Sequence, residues 1–313
     1  MTNRVRFAAL LSAAVIMVSA CSTAATPAPT AAPTPVPSIG ATAAPATPTP
    51  APTVDPNSLL GKILASGKVR ISTDPNYAPF SFLDPKTNQF DGFDNATAVE
   101  AVKRLSKVVG KELAIEWITP SWDLITAGSW GGRWDMSVGS MSVTKGRMKV
   151  VDFVNPYYYD FGSVAVPKDS AAQKVSDLAN AKWCVGASTT YEQWLQGTLE
   201  IVDPNMLPVP AGADVTSLPT DNECVQAVAA GRKFDALAAN ENSLANGVKS
   251  GAPIRILPDV TFTISVAFAL DRSGASDAEI LPLLNKIVDE MHADGTMTAI
   301  SNKYLQKDVT TKP

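Results

Sequence analysis

The chain has 313 residues, of which 45% are apolar and 18% are charged, with 26 lysines and arginines against 30 acidic residues. This composition predicts a soluble globular protein of one or two domains and excludes a fibrous or wholly disordered chain. The small acidic excess leaves no basic stripe for phosphates, so we expect no nucleic-acid binding. Because His292 is the single histidine, multi-histidine zinc sites and histidine-dependent hydrolases are poorly supported. We expect a binding protein with no metal or cofactor.

Residues 1–20 have the pattern of an export signal. Arg4 and Arg6 precede the apolar segment Phe7–Ala20, which is too short to span a bilayer comfortably. The following Cys21 completes a sequence, Val-Ser-Ala-Cys, that resembles the lipobox of bacterial lipoproteins, in which the cysteine is acylated. We therefore predict lipidation at Cys21 and an extracytoplasmic, membrane-anchored protein. An ordinary signal peptide followed by an incidental cysteine is the alternative.

Residues 21–56 are predicted to form a disordered tether. After the cysteine this segment is almost wholly alanine, proline and threonine, with Asp55 as its only charge. It has too little large apolar surface to offset the entropy of ordering. In extended polyproline II geometry, at about 3.1 Å per residue, it could reach roughly 100 Å. That length suits a spacer between a membrane and a folded domain.

Strand and helix patterns alternate along the rest of the chain. Alternating apolar residues predict a strand over 68–73, and a one-sided apolar pattern predicts a helix over Thr97–Val109 that begins with capping-box spacing. Short strands are predicted at Trp134–Val138, Trp183–Gly186 and Phe234–Ala238.

Two further elements are predicted near the C-terminus. Strict alternation over Val260–Leu270 predicts one long strand with one buried face. Ser276–Glu279 is predicted to cap a helix with a continuous apolar face, which ends near Gly295. Strands that alternate with helices favour an α/β architecture.

Five short motifs occur in a fixed order between about Leu60 and Leu305. They are Ile71–Phe80, Gly92–Asp94, Ser140–Arg147, Asp152–Tyr158 and Gly186–Thr190. In this order and spacing the chain resembles the family 3 extracellular solute-binding proteins, the polar amino-acid receptors of ABC importers.

The resemblance implies a two-lobed, periplasmic-binding-protein-like α/β fold. Two strands would cross between the lobes as a hinge, and the ligand would lie in the cleft between them. Lobe 1 is expected to comprise residues 57–163 and 264–313, and lobe 2 residues 164–263. Closure of such a hinge around a ligand is an established form of conformational switching.

The resemblance also assigns residues to the head group of an amino acid. Arg147 and Ser142 would bind the α-carboxylate, because a guanidinium presents a planar pair of donors that lysine lacks. Gly139 and Ser140 would lie near the α-ammonium group. Thr189 and Thr190 would form a second contact with the carboxylate at the start of a helix, although a threonine that only caps the helix is the alternative.

Three other positions are assigned to the ligand side chain. Tyr77 and Trp122 match an aromatic pair that encloses it, since flat rings provide a large contact area and attract cations. Asp74 matches a position that contacts a distal polar group. A carboxylate there favours a basic amino acid or glutamine.

One position departs from the family pattern. The acid expected to bind the α-ammonium group is replaced by Asn240, which can accept a hydrogen bond but has no full charge. The neighbouring Glu241 could substitute, the register could differ by one residue, or the ligand could lack a free ammonium group.

Once Cys21 is lipidated, Cys184 and Cys224 remain as an even pair in an oxidising compartment. We predict that they form a structural disulfide, with two buried free thiols as the alternative. A similar pair occurs in some glutamate-type members of the family.

The sequence therefore predicts a monomeric, lipid-tethered receptor that delivers a small polar solute to ABC permease subunits encoded by separate chains. A dehydratase of the cyclohexadienyl type on the same scaffold is one alternative, with Asp74 or Glu241 as its general acid. A ligand sensor for a membrane signalling partner is the other.

Overall fold

A computed structural model of the protein describes residues 54–202 and 205–313. The predicted export signal, Cys21 and the tether up to residue 53 lie outside the described residues. Within those residues, no helix is both long and apolar enough to cross a membrane. The chain already contacts the folded part at Val54, which packs against the first hydrophobic core, and at Asp55, whose backbone N–H donates to Glu279.

The described part contains helices and strands in alternation. The helices are α1 Leu59–Ser66, α2 Phe93–Val109, α3 Trp122–Thr126, α4 Thr190–Leu195, α5 Asp221–Ala229, α6 Glu241–Lys249, α7 Ile280–Ala293 and α8 Thr296–Leu305. The strands are β1 Lys68–Ser72, β2 Asn76–Tyr77, β3 Ser81–Asp84, β4 Gln89–Asp91, β5 Ala114–Ile118, β6 Met136–Ser137, β7 Val151–Phe153, β8 Tyr158–Pro167, β9 Lys182–Gly186, β10 Asp214–Leu218, β11 Ala236–Asn240, β12 Ile254–Val266 and β13 Ala269–Asp271.

Two mixed five-stranded sheets form the centres of two lobes. The first has the order β5-β1-β6-β13-β7 and the second the order β10-β9-β11-β8-β12. In each sheet the first three strands are parallel, and the remaining pairings are antiparallel. A small antiparallel sheet, β2-β3-β4, is added to the first lobe. The α/β class and the two-lobed fold predicted from the sequence are confirmed.

Helices cover both sheets and supply separate hydrophobic cores. The main core of the first lobe joins β1 to α2 and α7 through Ile71, Leu105 and Leu284, all of them buried. Met297 of α8 belongs to the same core. The second lobe has one core around Trp183 and another around Cys184, because adjacent residues of β9 point to opposite faces of the sheet.

The predicted disulfide is confirmed. Cys184 in β9 and Cys224 in α5 are bonded, with their Cα atoms 5.7 Å apart. The bridge fixes α5 against the second sheet, and α5 begins at the site described below.

Two long antiparallel strands, β8 and β12, run alongside each other where the lobes meet, with Asp160 opposite Ile264 and Ser163 opposite Val260. The predicted crossing points, 163/164 and 263/264, fall within these strands. The lobe boundaries drawn at those residues stay a prediction.

The helix predicted to begin at Thr97 begins four residues earlier, at Phe93. Its N-cap is Gly92, whose φ is +121° and whose missing Cβ would lie 2.3 Å from the Phe80 carbonyl oxygen, so a side chain does not fit there. Thr97 lies inside the helix, where its hydroxyl donates to the Phe93 carbonyl over 2.8 Å. The capping-box prediction is therefore wrong.

The single strand predicted over Val260–Leu270 is also wrong, because the segment passes from one sheet to the other. The strand β12 belongs to the second sheet and ends at Val266, whereas β13 begins at Ala269 between β6 and β7 of the first sheet. Ala267 and Ala269 are as buried as the apolar residues that alternate with them.

Candidate functional site

A cavity with an empty volume of about 480 Å³ lies between the two lobes. It is lined by every predicted ligand-binding residue except Asn240, and by four residues that the sequence analysis did not identify. The lining residues are Asp74, Tyr77, Trp122, Gly139, Ser140, Ser142, Arg147, Thr189, Thr190, Tyr191, Pro219, Thr220 and Asp221.

The fold explains why these residues meet. Asp74 follows β1, Gly139 follows β6, Thr189 follows β9 and Pro219 follows β10. These strands are parallel within their own sheets, and residues beyond their carboxyl ends therefore gather at one edge of each sheet. The two edges face each other across the cavity.

Arg147 begins a short 3₁₀ helix and is only 4% exposed. Its Nη1 donates to the Ser142 carbonyl and its Nη2 to the Ser188 carbonyl, each over 3.0 Å, while Nε has no partner among the described residues. Burial lowers the pKa of Arg147 to about 10, so the guanidinium stays charged at neutral pH. In the described part of the chain no carboxylate forms an ion pair with it, and its charge can act on a ligand.

Ser140 is held by protein groups on several sides. Its hydroxyl donates to Asp94 over 2.7 Å, its backbone N–H donates to the Tyr157 hydroxyl over 3.2 Å, and that hydroxyl also donates to Asp94. The residue has a φ of +55°, a conformation that non-glycine residues adopt only where surrounding contacts fix it. Burial raises the pKa of Asp94, the last residue of the Gly-Phe-Asp motif, to about 6.

Both threonines at the start of α4 line the cavity, but the Thr189 hydroxyl is engaged within the protein. It accepts from the Glu192 backbone N–H over 3.2 Å and donates to the Gly186 carbonyl over 2.7 Å. Thr189 thus caps α4, and its contact with a ligand carboxylate stays a prediction, since one threonine can do both.

The two predicted aromatic residues line the cavity from the first lobe. Tyr77 stacks on Phe80, with ring centroids 5.5 Å apart. The Trp122 ring lies 5.3 Å from the Arg147 guanidinium carbon, and its Nε1 donates to the Ser188 carbonyl over 3.1 Å. Both rings are therefore fixed by neighbouring residues.

Asp74 contributes a carboxylate to the same wall. It accepts from the Asn76 backbone N–H over 2.7 Å, and burial raises its pKa above the usual value. It forms no ion pair with any residue that the structure describes.

Asn240 does not line the cavity, which corrects the position predicted for it. It is fully buried at the end of β11, where its Nδ2 donates to Asp160 over 2.5 Å and its Oδ1 accepts from the Asn242 backbone N–H. Glu241, the suggested substitute, forms an ion pair with Lys307 over 2.5 Å. The Asn240 side chain points to Asp160 of the hinge strand β8.

The acid that does line the cavity from the second lobe is Asp221, the first residue of α5. It is 3% exposed, and its Oδ1 accepts from the Gly186 backbone N–H over 2.8 Å. Burial raises its pKa to about 7. A threonine–aspartate pair directly after a strand was the signal that could have identified it.

Tyr191 completes the floor of the cavity. Its hydroxyl donates to Asp160 in β8, and its ring stacks on Phe262, with centroids 5.7 Å apart. Burial raises the pKa of Asp160 to about 7. The hinge strands thus support the cavity wall directly.

The cavity has a buried cation at one place and carboxylates at others. In the described residues, no group of three or more histidine, cysteine, aspartate or glutamate side chains could hold a metal ion. The arrangement can bind a small molecule that carries both charges.

The chain is similar to known proteins over most of its length. A family model described as bacterial extracellular solute-binding proteins, family 3, matches residues 69–307. The L-cystine-binding protein TcyJ of Escherichia coli strain K12 is 27% identical over 258 residues, covering 80% of this chain and 88% of the relative. The histidine-binding periplasmic protein of Salmonella typhimurium is 29% identical over 252 residues, covering 77% and 89%.

A solved structure is also similar. The ancestral amino acid-binding protein AncCDT-1, a precursor of cyclohexadienyl dehydratase, aligns with a TM-score of 0.67 and 28% identity, covering 79% of this chain and all of that one. Since the family model matches most of the chain, including every residue that lines the cavity, the protein belongs to the family 3 bacterial extracellular solute-binding proteins.

Proposed function

We propose that this protein captures an L-amino acid with a cationic side chain and delivers it to an ABC importer. The observation that carries the proposal is the charge arrangement of the cavity. Arg147 lies on one lobe and Asp221 on the other, and Asp74 lies on the wall assigned to the side chain of the ligand. The named relatives bind cystine and histidine, so the family accommodates amino acids.

The head group of an amino acid matches the two buried charges. Arg147 would bind the α-carboxylate through its fork of donors, supported by Ser142. Asp221 would accept from the α-ammonium group, which is the role that the sequence analysis gave to Asn240. Each charge is expensive to bury alone and is compensated when the zwitterion lies between them.

The side chain of the ligand is expected to be cationic because Asp74 is a third charged group in the cavity. A zwitterion has no net charge, so it compensates Arg147 and Asp221 and leaves Asp74 without a counter-charge. A guanidinium, ammonium or imidazolium group near Asp74 would supply it, and Tyr77 and Trp122 would contact that group with their rings. Glutamine would offer only an amide donor.

Outside the cavity, we propose lipidation at Cys21, a tether between the lipid and the folded part, and a monomeric receptor that docks on permease subunits. A Cys21→Ser variant is expected to appear in the culture medium or in the soluble extracytoplasmic fraction. Retention in the membrane fraction without acylation would contradict the lipid anchor.

Calorimetric titration of the mature protein with matched ligands tests the proposal. L-Arginine should bind at least about tenfold more tightly than L-citrulline, its neutral isostere, because a hydrogen bond to a charged group contributes about 1.5–3 kcal/mol. Agmatine lacks the carboxylate and 5-guanidinovalerate lacks the ammonium group, so both should bind far more weakly.

Equal binding of L-arginine and L-citrulline would contradict the cationic class. Turnover of prephenate or arogenate would instead support the dehydratase alternative. In an Asp74→Asn variant the preference for L-arginine over L-citrulline should disappear.

A further inference from the structure

One backbone carbonyl joins the lobes at the cavity. The Ser188 carbonyl, in the loop between β9 and α4 of the second lobe, accepts from Trp122 Nε1 over 3.1 Å and from Arg147 Nη2 over 3.0 Å. Both donors belong to first-lobe residues that line the cavity. These two side chains therefore both line the cavity and contact the second lobe.

Ser188 is held in an unusual conformation for this contact. Its φ is +59°, in the left-handed region that non-glycine residues rarely adopt. Such conformations persist where the surroundings over-determine them, and they concentrate at functional sites. The Ser188 side chain makes no hydrogen bond to the described residues. The contacts that accompany this conformation are those of its backbone N–H and carbonyl groups.

The group that fixes this loop is the Glu192 carboxylate. Its Oε2 accepts from the Ser188 backbone N–H over 2.6 Å, and its Oε1 accepts from the Ser217 hydroxyl in β10. The carboxylate thereby links the loop to the second sheet. With the N–H directed at Glu192, the Ser188 carbonyl faces the first lobe.

We propose that Glu192 is a positioning residue for ligand capture: it holds the Ser188 carbonyl where Trp122 and Arg147 reach it when the lobes close. The inference rests on the proposed function and adds to it a residue that touches no ligand. Closure around a ligand is favoured by any contact that exists only in the closed form. The two hydrogen bonds to Ser188 are such contacts, and they also orient the aromatic and cationic walls of the cavity.

The expected signature is a change in dissociation rather than association. Loss of the Glu192 carboxylate leaves the open form able to meet the ligand, so the association rate should change less than twofold. The closed form loses well-oriented hydrogen bonds of about 0.5–1.5 kcal/mol each. We therefore expect Glu192→Ala to raise the dissociation rate and the Kd for L-arginine about tenfold.

Two variants separate positioning from a general effect on the helix. Glu192→Gln retains an oxygen for the Ser188 N–H and an amide for the Ser217 hydroxyl, and it should restore affinity to within about threefold. Glu223 is a matched control, because it occupies the same position in α5 as Glu192 does in α4. In each helix the capping threonine, Thr220 or Thr189, accepts from the backbone N–H of this glutamate. Its carboxylate makes no hydrogen bond to the described residues, and Glu223→Ala should leave Kd within twofold.

A double-mutant cycle tests the route through Ser188. Trp122→Phe keeps an aromatic ring and removes the Nε1 donor. If Glu192 acts through the carbonyl that Trp122 contacts, the combined variant should lose less affinity than the product of the two single losses. Strict additivity, or a normal dissociation rate in Glu192→Ala, would overturn the proposal.

A measurement without ligand keeps this inference separate from the proposed function. Spin labels placed by Val108→Cys in α2 and Val248→Cys in α6, both exposed positions, report the distance between the lobes. Glu192→Ala should reduce the population at the short distance, whichever ligand the protein binds. If no cationic amino acid binds to the unmodified protein, the proposed function fails, whereas equal distance distributions with and without Glu192 contradict the role of Glu192.

Discussion

Arg147 of the first lobe and Asp221 of the second lobe are groups of opposite charge that line the cavity, and the two lobes hold them differently. Arg147 in the first lobe donates to two backbone carbonyls and stays a cation throughout the neutral range, since burial lowers its pKa only to about 10. Asp221 in the second lobe accepts one backbone N–H, and burial raises its pKa to about 7. The first lobe thus supplies a permanent charge and the second a charge that depends on pH. A zwitterion would be bound fully only when both lobes contact it.

The largest effect is expected from the permanent charge. Arg147→Ala should weaken L-arginine binding at least about a hundredfold, because removing one member of a buried charge pair costs about 2–5 kcal/mol. Arg147→Lys keeps the charge but loses the planar fork, and it should recover only part of the affinity. Calorimetric titration measures both variants, with Arg232→Ala, an exposed arginine of the second lobe, as the control. Normal binding by Arg147→Ala would exclude Arg147 from carboxylate binding.

Asp221→Asn tests the opposite lobe and should weaken binding about thirtyfold at pH 8, where the unmodified carboxyl is ionised. The variant keeps the shape of the side chain and an oxygen for the Gly186 N–H. Asn240→Ser, which retains a helix-capping oxygen, should leave Kd within about threefold even if it lowers the melting temperature. The reverse result would return the ammonium-binding role to Asn240.

Affinity should depend on pH through Asp221. Its pKa in the ligand-free protein is about 7, and an ammonium group favours the carboxylate form. Kd should therefore rise as the pH falls below 7, by up to about tenfold per unit for one coupled proton. The stability of the ligand-free protein should change in the opposite direction, because a raised carboxyl pKa favours the folded state at low pH and this advantage is lost as the pH rises through about 7. A Kd that is constant from pH 5.5 to 8 would contradict this role of Asp221.

The smallest effect on affinity is expected from removing the disulfide of the second lobe. Replacing Cys184 and Cys224 with serine opens a loop of 40 residues and should lower stability by about 4 kcal/mol on the chain-entropy model. The bridge lies behind the cavity wall, so Kd should change less than about threefold at 20 °C. Thermal unfolding with and without a reductant measures the loss, and an unchanged melting temperature would show that the bridge adds no stability.

Much of the first-lobe half of the cavity could be predicted, because its residues lie in or near the short motifs that carry the family resemblance. Asp74 and Tyr77 follow a strand with clear alternation, and Ser142 and Arg147 lie in one continuous segment after another strand. The short distance in sequence fixes the distance in space. The prediction was less complete where the chain changes sheet, as at Val266–Ala269, since periodicity reports burial and not the sheet to which a strand belongs.

The second-lobe half was harder because two strand ends offer an acid or amide at similar places. Asn240 is the last residue of β11 and Asp221 lies shortly after β10, and their side-chain directions decide which one faces the cavity. That direction depends on Asp160, which binds Asn240 from the hinge strand. A tertiary contact of this kind has no signature in the local sequence, and neither does the bond between Glu192 and Ser188.

The contact between Trp122 and Ser188 also gives the molecule its own optical reporter. The indoles of Trp130, Trp183 and Trp194 are at most 1% exposed. Unlike these three, Trp122 donates to a carbonyl of the opposite lobe. Its fluorescence should therefore follow capture and release of the solute in real time, and the unlabelled protein could serve as a sensor for its own ligand.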